Sequence, residues 1–513
     1  MTPFFLLLCT VILCTILYCF LFKKETISTR PPPPGPRGWP ILGNLPQLGT
    51  KPHQTLYNLS KIYGPLIYLQ FGSVNVVVAS SSNVASQFLK THDANFSNRP
   101  PNSGAEHMAY NYQDMVFAPY GSRWRALRKM CNIHLFSAKA LDDLRPIRQT
   151  EVMSMTQEVY LHGKKGAVVD VSQVINVCSL DALSRALVGW KVFQEAKEAI
   201  ELKAMVVELM QLAGVFDVGD FVKGLAWMDP QGVVRKMKKV HKRFDQFFDA
   251  LMEARRTGKN KGEGRDLLSV LLNFQEDGAD FEEGKLTDTN IKALMLNLFT
   301  AGTDTSSSTV EWALSELIRH PDILKQAQEE LDSVVGRHHL VKEHDLPNLP
   351  LFQLQAIIRE VFRLHPATPL SIPRVGENEC EINGYRIPKN ATLLVNLWAI
   401  GRDPTIWKDP MRFDPGRFFP AGPHAHADVK GNNFELIPFG GGRRICAGMR
   451  LGLRMVQIMT ATLIHAFDWV LPDGQTHDKL DMEEAFGISL PRALPLVACP
   501  VPRLEPSAYE FAL

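Results

Sequence analysis

The segment F-G-G-G-R-R-I-C-A-G, residues 439–448, contains the cysteine whose surroundings most favour chemistry. Its glycines allow tight turns and a close approach of the backbone to a flat ligand. Cys446 precedes a predicted helix, whose free N–H groups and dipole favour a thiolate over a thiol. A thiolate is a known axial ligand of haem iron, onto which it pushes electron density. Although an isolated cysteine is usually buried and inert, this ten-residue setting predicts that Cys446 binds haem iron.

A second motif, A-G-T-D-T-S at residues 301–306, lies in the middle of a long predicted helix. Gly302, Thr303 and Thr305 all have low helix propensity, so the motif predicts a helix that is locally opened. The adjacent Asp304 and Thr305 can hold water and relay protons. In the alternative interpretation, the small residues only allow two helices to pack closely.

Two residue pairs at helical spacing are weak signals when taken alone. Glu360 and Arg363 in E-V-F-R are three residues apart, and such a pair is usually a surface contact. Trp124 and Arg128 in W-R-A-L-R are four residues apart and can reach the same anionic group. Arg444 in the cysteine loop is placed to pair with a propionate.

Hydrophobic periodicity indicates a mainly α-helical body with a minor β-sheet. A helix is predicted from about Thr287, with Thr287 and Asp288 as caps, to about Arg319. Other predicted helices cover residues 236–256, 353–364 and the stretch from Cys446 to about Phe467, and residues 259–265 form a charged loop. Short strands are predicted at residues 66–71, 74–79, 374–387 and 392–397.

The N-terminus predicts a membrane anchor at residues 1–22. Pro3 to Phe22 carries no charge, and as a helix it would be about 30 Å long, enough to cross the hydrocarbon core. Lys23, Lys24 and Arg30 follow the apolar run, which favours a cytosolic body over a cleaved signal peptide. Residues 23–40 form a basic, proline-rich hinge, and residues 41–513 form one catalytic domain.

Composition excludes several classes of protein. The net charge of +2 gives no reason to expect a nucleic-acid partner. The cysteines of the body are widely scattered without C-x-x-C spacing, which argues against a structural zinc site. In a cytosolic body they are expected to be reduced.

Taken together, these patterns resemble the cytochrome P450 superfamily over the whole body of the chain. The cysteine loop matches F-G-x-G-x-R-x-C-x-G at every fixed position, and residues 301–306 match the oxygen-activation motif. Glu360 and Arg363 match the E-x-x-R pair, and residues 124–128 match W-x-x-x-R. The family commonly has P-E-R-F where residues 415–418 read P-G-R-F, so one carboxylate is replaced by Gly416 and local packing is expected to loosen.

The resemblance implies a P450 fold in which haem b lies between the long central helix and the cysteine loop. It implies haem contacts from Trp124, Arg128, Arg374, Phe439, Arg444 and Cys446, and a structural cluster of Glu360, Arg363 and Arg417. It implies catalytic roles for Asp304 and Thr305. The substrate pocket is expected to include Phe117, Ala301, Thr368 and Ser489.

Within the superfamily, residues 91–105, 111–121, 301–312 and 428–440 resemble plant flavonoid B-ring hydroxylases. The resemblance implies O2-dependent 3′-hydroxylation of flavonoids, with electrons from NADPH through a P450 reductase, at the endoplasmic reticulum membrane. Flavonoid 3′,5′-hydroxylation, or oxidation of another plant phenolic, is the nearest alternative. A haem-thiolate isomerase or dehydratase and a non-enzymatic haem binder are further alternatives, but both fit the retained Asp304 and Thr305 less well.

Ser489 bears on the choice between these activities. In 3′-hydroxylases the matching position is commonly Thr, whereas Ser or Ala is more often associated with 3′,5′ activity. Ser lacks one methyl group, so the resemblance implies a slightly wider pocket near the B-ring. The rest of the chain favours mainly 3′-hydroxylation, with some 5′-hydroxylation.

Overall fold

The computed structural model describes residues 30–192, 196–258, 266–277, 280–281, 284–346 and 352–510. The predicted anchor and the charged loop at residues 259–265 lie outside these ranges. None of the helices inside them is long and apolar enough to cross a membrane. The division into anchor, hinge and catalytic domain therefore stays a prediction.

Helices dominate the described part of the chain, as predicted. Helices α1 to α16 are, in chain order, Pro52–Tyr63, Ser82–Ser86, Ser103–His107, Ser122–Cys131, Ala138–Asp143, Arg145–Lys164, Val171–Val188, Ala196–Gly214, Val218–Phe221, Val233–Arg256, Leu267–Glu276, Asp288–Arg319, Pro321–Val335, Phe352–Leu364, Leu397–Ile400 and Met449–Ala466. Strands β1 to β11 are Leu66–Phe71, Val74–Ala79, Val169–Asp170, Asp280–Phe281, Gly284–Lys285, Arg374–Val375, Cys380–Ile382, Tyr385–Ile387, Thr392–Val395, Phe467–Val470 and Val497–Pro502.

The central helix α12 begins where its capping residues predict. The Thr287 side chain accepts a hydrogen bond from the Asn290 N–H, and the Asn290 side chain accepts one from the Thr287 N–H, which forms a capping box. The helix is buried on nearly all sides, which explains its weak amphipathic pattern. Its first half packs in one apolar cluster with α7, α8, α10 and α11, and its second half packs in another with α6, α13, α14 and α16. It therefore forms the axis around which the site is built.

Small sheets lie at the edges of the helical body. β1 and β2 form an antiparallel pair, β9 pairs with β2 in parallel, and β6 completes the four-stranded order β1-β2-β9-β6. A second sheet has the order β10-β11-β3. The parallel pairing joins segments that lie more than 300 residues apart in sequence, between Val76 and Thr392 among others. This sheet ties the N-terminal part of the body to the segment that follows α14.

Most predicted elements are confirmed, with two local differences. The strands at residues 66–71 and 74–79 are found with the predicted bounds. The predicted strand at 374–387 is instead three short strands, β6, β7 and β8. The predicted strand at 392–397 ends at Val395, because the Asn396 side chain accepts a hydrogen bond from the Ala399 N–H and caps helix α15.

Candidate active site

Backbone hydrogen bonds close the cysteine loop into a compact turn. The Cys446 N–H donates to the Phe439 carbonyl at 3.0 Å, and the Ile445 N–H donates to the Gly442 carbonyl at 3.0 Å. Gly442 has a φ of +66°, and a Cβ atom at this position would lie 2.1 Å from an Asp93 carboxylate oxygen. Only glycine fits there, because both the backbone conformation and the space exclude a side chain.

Cys446 has exposed surface in this loop, while protein groups close around its thiol. Burial raises the pKa of the thiol. Hydrogen bonds from the N–H groups of Gly448 and Met449, together with the Arg128 guanidinium, lower that pKa. The predicted effect of the helix N-terminus is therefore present, but the protein groups by themselves do not favour the thiolate, because the cost of burying its charge is larger.

Helix α12 is continuous through residues 301–306, so the prediction of a locally opened helix is wrong. The Thr303 hydroxyl donates to the Phe299 carbonyl at 2.8 Å, and the Thr305 hydroxyl donates to the Ala301 carbonyl at 2.6 Å. These bonds satisfy both hydroxyls without breaking the backbone ladder. A Cβ atom at Gly302 would lie 2.7 Å from a Leu183 methyl carbon, so this glycine allows α12 and α7 to pack closely.

Residues with accessible surface on α12 and in the cysteine loop mark the cleft in which a flat ligand would lie. Ala301 is exposed and Thr305 is partly exposed, although most of α12 is buried. Close to the cleft, a Cβ atom at Gly452 of α16 would lie 3.9 Å from both the Ser306 hydroxyl and the Phe439 ring. The motif on α12 and the cysteine loop are therefore brought together, although about 140 residues separate them in the sequence.

Asp304 lies on the side of α12 that faces α7 and α8. Its Oδ2 atom is buried without a hydrogen-bond partner, and it borders a very small, mostly apolar cavity that is lined by aliphatic side chains of α7 and α8 together with Gln173, Asn176 and Lys203. Burial raises the pKa of Asp304, whereas a hydrogen bond from Ser489 and the charge of Lys203 lower it. Asp304 is therefore a buried carboxyl group whose raised pKa favours the protonated form, with Ser489 and Lys203 as its polar neighbours.

Buried guanidinium groups line the other end of the site. Arg374 donates to the Gly441 carbonyl at 2.7 Å, and Arg444 donates to the Ser97 and Ala118 carbonyls at 2.7 and 2.6 Å. One terminal nitrogen of each guanidinium is buried without a hydrogen-bond partner, although that of Arg374 lies 3.6 Å from an Asp93 carboxylate oxygen. Burial lowers the pKa of Arg374 to about 10, and burial together with the charge of Arg374 lowers the pKa of Arg444 to about 10.

Arg99 joins this group and was not singled out from the sequence. It donates to the Val116 carbonyl at 3.0 Å and to the Ile372 carbonyl at 2.7 Å. Burial lowers its pKa well below the usual value, and the charges of Arg374 and Arg444 add to that effect. No periodicity marks Arg99, because it lies in an irregular segment; its position before two prolines is the only local signal.

Trp124 and Arg128 are brought together. The Trp124 ring N–H and one guanidinium N–H of Arg128 already have main-chain partners. Trp124 Nε1 donates to the Met115 carbonyl at 3.0 Å, and Arg128 donates to the Ile445 carbonyl at 2.8 Å. The indole ring lies between the guanidinium groups of Arg128 and Arg444, at 5.2 and 4.7 Å. The indole N–H therefore does not point at a shared anion, and the ring instead orients two cations.

These residues fit haem b. Several buried cations crowd together and two retain a nitrogen without a hydrogen-bond partner, so a dianionic ligand such as the haem propionates would relieve their mutual repulsion. Cys446 is an exposed residue of its loop, and its sulfur accepts two backbone N–H bonds, as an axial thiolate ligand requires. Cys446 would bind the iron, and Arg374, Arg444, Arg128 and Arg99 would surround the propionates.

The Glu360–Arg363 pair lies in the interior rather than on the surface. Arg363 donates two bonds to the Glu360 carboxylate, both at 2.7 Å, and both side chains have no exposed surface. Arg417 lies 3.4 Å from the same carboxylate. The Asp414 carboxylate caps the short turn at residues 415–418 by accepting a hydrogen bond from the Gly416 N–H. The Asp414 N–H donates to Glu360. The turn therefore remains ordered although Gly416 replaces a carboxylate residue.

The residues predicted to contact substrate differ in exposure. Phe117, Ala301 and Thr368 have accessible surface. Ser489 is only 2% exposed, and it donates a hydrogen bond to Asp304. Main-chain bonds fix the Ser489 segment, because the Leu490 N–H donates to the Ala367 carbonyl at 3.0 Å and Trp312 donates to the Leu490 carbonyl at 2.9 Å. Ser489 thus lies behind the cleft, next to the Asp304 carboxyl group.

Comparison with known proteins agrees with this geometry. The family model described as Cytochrome P450 matches residues 33–497. A flavonoid 3′-monooxygenase of Crocosmia x crocosmiiflora is 62% identical over 99% of this chain and 100% of its own length. A flavonoid 3′-monooxygenase of Petunia hybrida is 58% identical over 98% of this chain and 99% of its own length. A flavonoid 3′,5′-hydroxylase of Crocosmia x crocosmiiflora is 58% identical over 93% of this chain and 92% of its own length. With its cysteine loop, its central helix and this match, the chain belongs to the cytochrome P450 family.

Proposed function

We propose that this protein is a flavonoid 3′-monooxygenase, which hydroxylates the B-ring of flavonoids to a catechol. The observation that carries the proposal is the 62% identity, over nearly the whole of both chains, to a protein named for that activity. The Cys446 loop and the Asp304–Thr305 pair supply the groups that such a reaction needs. Naringenin and dihydrokaempferol are the proposed substrates.

The chemistry divides between the haem and the protein. Bound through Cys446, haem activates O2 so that one oxygen atom enters the substrate and the other leaves as water. The protein orients the substrate, excludes water and delivers protons. Ala301 and Thr305 have accessible surface on α12 at the cleft, where the B-ring would lie.

Asp304 and Thr305 divide the work of proton delivery. The Thr305 hydroxyl is held at the cleft by the Ala301 carbonyl, and its oxygen remains free to accept a hydrogen bond. Asp304 is buried on the other side of the helix, where burial raises its pKa and Lys203 is the nearby charge. As the neighbour of Thr305, Asp304 would hold a proton for transfer toward the Thr305 hydroxyl.

We expect Thr305→Ala to retain haem and substrate binding while NADPH oxidation yields mainly hydrogen peroxide. General acid–base groups contribute about 10²–10⁴-fold, so catechol formation should fall by about 10-fold or more. Parallel assays of NADPH, peroxide and catechol measure this coupling. Thr300→Ala is the control, since Thr300 makes the same type of bond, to the Leu296 carbonyl at 2.7 Å, but is buried. Unchanged coupling in Thr305→Ala would remove the hydroxyl from the proton path.

A second candidate function, 3′,5′-hydroxylation, is favoured by Ser489 and by one 58% identical relative named for that activity. We expect Ser489→Thr to lower any trihydroxylated product and to leave the catechol largely unchanged. A methyl-sized change is worth about 1–3 kcal/mol where it alters a pocket, and at the buried Ser489 it would act through the packing behind the cleft to shift a product ratio. Chromatographic product analysis of the wild type and of Ser489→Thr, each assayed with the same reductase, measures the ratio of trihydroxylated product to catechol. A wild-type enzyme that makes mostly trihydroxylated B-rings would instead support the second function.

The reductase, the bilayer and the endoplasmic reticulum complete the proposal. Residues 1–22 are proposed as a single-pass anchor that leaves the catalytic domain in the cytosol, where a flavin-containing P450 reductase transfers electrons from NADPH. The uncharged run from Pro3 to Phe22, followed by Lys23 and Lys24, supports this topology. Membrane fractionation of the full chain beside a chain lacking residues 2–22, with the haem spectrum recorded for both, tests it.

The proposed activity is tested most directly by product analysis. Microsomes that contain this protein and a reductase are supplied with NADPH and either naringenin or dihydrokaempferol. The expected products are eriodictyol and dihydroquercetin. Reductase-only microsomes are the control. The absence of any hydroxylated flavonoid, although the haem-thiolate spectrum is intact, would contradict the proposed substrate class.

A further inference from the structure

The segment before Phe117 has a strained backbone, which is kept in place by contacts with the surrounding structure. Tyr110, Asn111 and Tyr112 are three consecutive residues with φ values of +52°, +53° and +62°. This left-handed region is costly for side chains other than glycine, because the Cβ atom approaches the carbonyl oxygen. Such a run persists only where the surrounding structure holds it.

Side chains from several elements provide part of that hold. The Tyr110 hydroxyl donates to Asp245 of α10 at 3.0 Å. The Tyr112 hydroxyl accepts from the Asn102 N–H at 3.0 Å. These contacts fix the beginning of the segment without reaching the residues that border the cleft.

A buried pair, Asp114 and Asn297, fixes those later residues. Asn297 of α12 accepts hydrogen bonds from the Met115 and Val116 N–H groups at 2.9 and 3.1 Å. Its Nδ2 atom donates to Asp114 at 2.9 Å, and Asp114 in turn accepts from the Phe117 N–H at 3.0 Å. Asp114 has no exposed surface and Asn297 is 8% exposed. Three successive backbone N–H groups are thus held by two buried side chains.

The carbonyl groups of the same segment are held by residues that line the haem site. Trp124 donates to the Met115 carbonyl, Arg99 to the Val116 carbonyl and Arg444 to the Ala118 carbonyl, at 3.0, 3.0 and 2.6 Å. Residues 115–118 therefore lie between the central helix and Arg99 and Arg444, two of the cations that would surround the haem propionates. The side chains of Val116 and Phe117 keep accessible surface.

We propose that Asp114 and Asn297 are specificity-determining positioning residues of this enzyme: by fixing the backbone at residues 115–117, they set where Phe117 stands and which B-ring carbon is presented for hydroxylation. The proposal rests on the proposed flavonoid hydroxylation. Neither residue is required to touch the reacting atoms. Their effect is on the shape of the cleft border, which a flat aromatic substrate must match.

The charge of the pair guides the design of a rescue variant. Burial raises the pKa of Asp114 to about 6, while hydrogen bonds from Asn297 and from the Phe117 and Val116 N–H groups, and the charge of Arg99, lower it. The buried space around Asp114 and Asn297 therefore accommodates one carboxyl group and one amide group. Exchanging them in the double variant Asp114→Asn with Asn297→Asp keeps one carboxyl, one amide and an acceptor for each N–H group.

The first experiment uses Asn297→Ala in the full-length holoenzyme with reductase. Hydrogen exchange of the Met115 and Val116 amides should accelerate by about 10-fold or more, because they lose their Asn297 acceptor. The naringenin concentration that gives half of the spectral binding shift should rise by about 10-fold. The fraction of product hydroxylated away from the 3′ carbon should also rise. Gln113→Ala is the matched control, since it removes only the Asn290 bond of the same segment.

The second experiment compares Asn297→Asp alone with the double variant. The single variant places two carboxyl groups together, so we expect faster exchange and altered products that recover as the pH is lowered and one group is protonated. The double variant should restore slow exchange and 3′ selectivity near neutral pH. If Asp114 and Asn297 acted only through packing, swapping the carboxyl and amide groups between the two positions would not restore slow hydrogen exchange or 3′ selectivity.

The outcomes are distinct. Faster exchange at residues 115–117 with unchanged substrate binding and products overturns the proposal, and so does unchanged exchange. If Asn297→Ala takes up no haem, restored haem binding and selectivity in the double variant support the pair, and failure of the double variant to restore selectivity overturns it. Lack of any hydroxyflavonoid from the wild type identifies failure of the proposed function instead.

Discussion

Cys446→Ser abolishes the red-shifted Soret band of the ferrous carbonyl complex and reduces flavonoid hydroxylation to the background level. The band requires an axial thiolate, and a serine hydroxyl does not ionise under conditions in which the protein is folded. The backbone N–H groups of Gly448 and Met449 lower the pKa of the Cys446 thiol, but they have no comparable anion to stabilise in serine. The carbonyl difference spectrum, normalised to the amount of protein, measures the result.

Other cysteines are poor substitutes for Cys446. Burial raises the pKa of Cys131 to about 12, and it raises that of Cys178 well above the usual value, so neither readily supplies a thiolate. Cys131→Ala is the matched control, because Cys131 also lies close to Arg128. We expect this variant to keep the band. If Cys446→Ser keeps it, the ligand comes from another residue, and Cys131 and Cys380 are the next variants to measure.

The cysteine loop could be predicted from the sequence because its determinants are local. Gly440 and Gly442 have φ values of +72° and +66°, as tight turns require. The helix that follows begins at Met449, close to its predicted start. Ten consecutive residues carry both the turn geometry and the ligand. No information from distant segments was needed.

The cation cluster and the Asp114–Asn297 pair could not be predicted in this way. Arg99 and Arg444 are 345 positions apart, and Asp114 and Asn297 are 183 positions apart. Their side chains meet only because the chain folds around α12. In the sequence, an Asp or an Asn in a polar segment more often indicates a turn or cap than a buried contact. The structure therefore adds the polar groups that shape the cleft.

The central helix shows why propensity alone was insufficient. Its start was predicted from Thr287 and Asp288, since a capping box depends on adjacent residues. The predicted opening at residues 301–306 was wrong, because tertiary burial outweighs a propensity cost of about 1 kcal/mol per residue. The hydroxyls of Thr303 and Thr305 donate hydrogen bonds to carbonyls four residues earlier, so both hydroxyls have partners within an intact helix.

Arg363→Ala is the second change with a large expected effect, and its cause is stability rather than chemistry. Besides Glu360, Arg363 donates to the carbonyls of Gly401, Pro410 and Arg412 at 2.6, 2.7 and 3.0 Å. Removing it leaves the Glu360 carboxylate buried with the Asp414 N–H and the more distant Arg417 as its remaining partners. Breaking a buried ion pair costs about 3–5 kcal/mol, a large part of the stability of a typical domain.

We therefore expect little haem-loaded Arg363→Ala protein, and rapid loss of the Soret band on mild heating of what is recovered. Arg363→Lys should be intermediate, because an ammonium group keeps the charge but cannot reproduce the planar fork that spans the carboxylate and three carbonyls. Lys325→Ala is the control: it removes a helical ion pair to Glu329 whose side chains are 76% and 66% exposed. Its effect should stay below about 0.5 kcal/mol, since solvent screens such pairs. Equal thermal stability of Arg363→Ala and Lys325→Ala would contradict a structural role for the buried cluster, whereas a difference confined to Arg363 would locate that role in the contacts between α14 and residues 401–417.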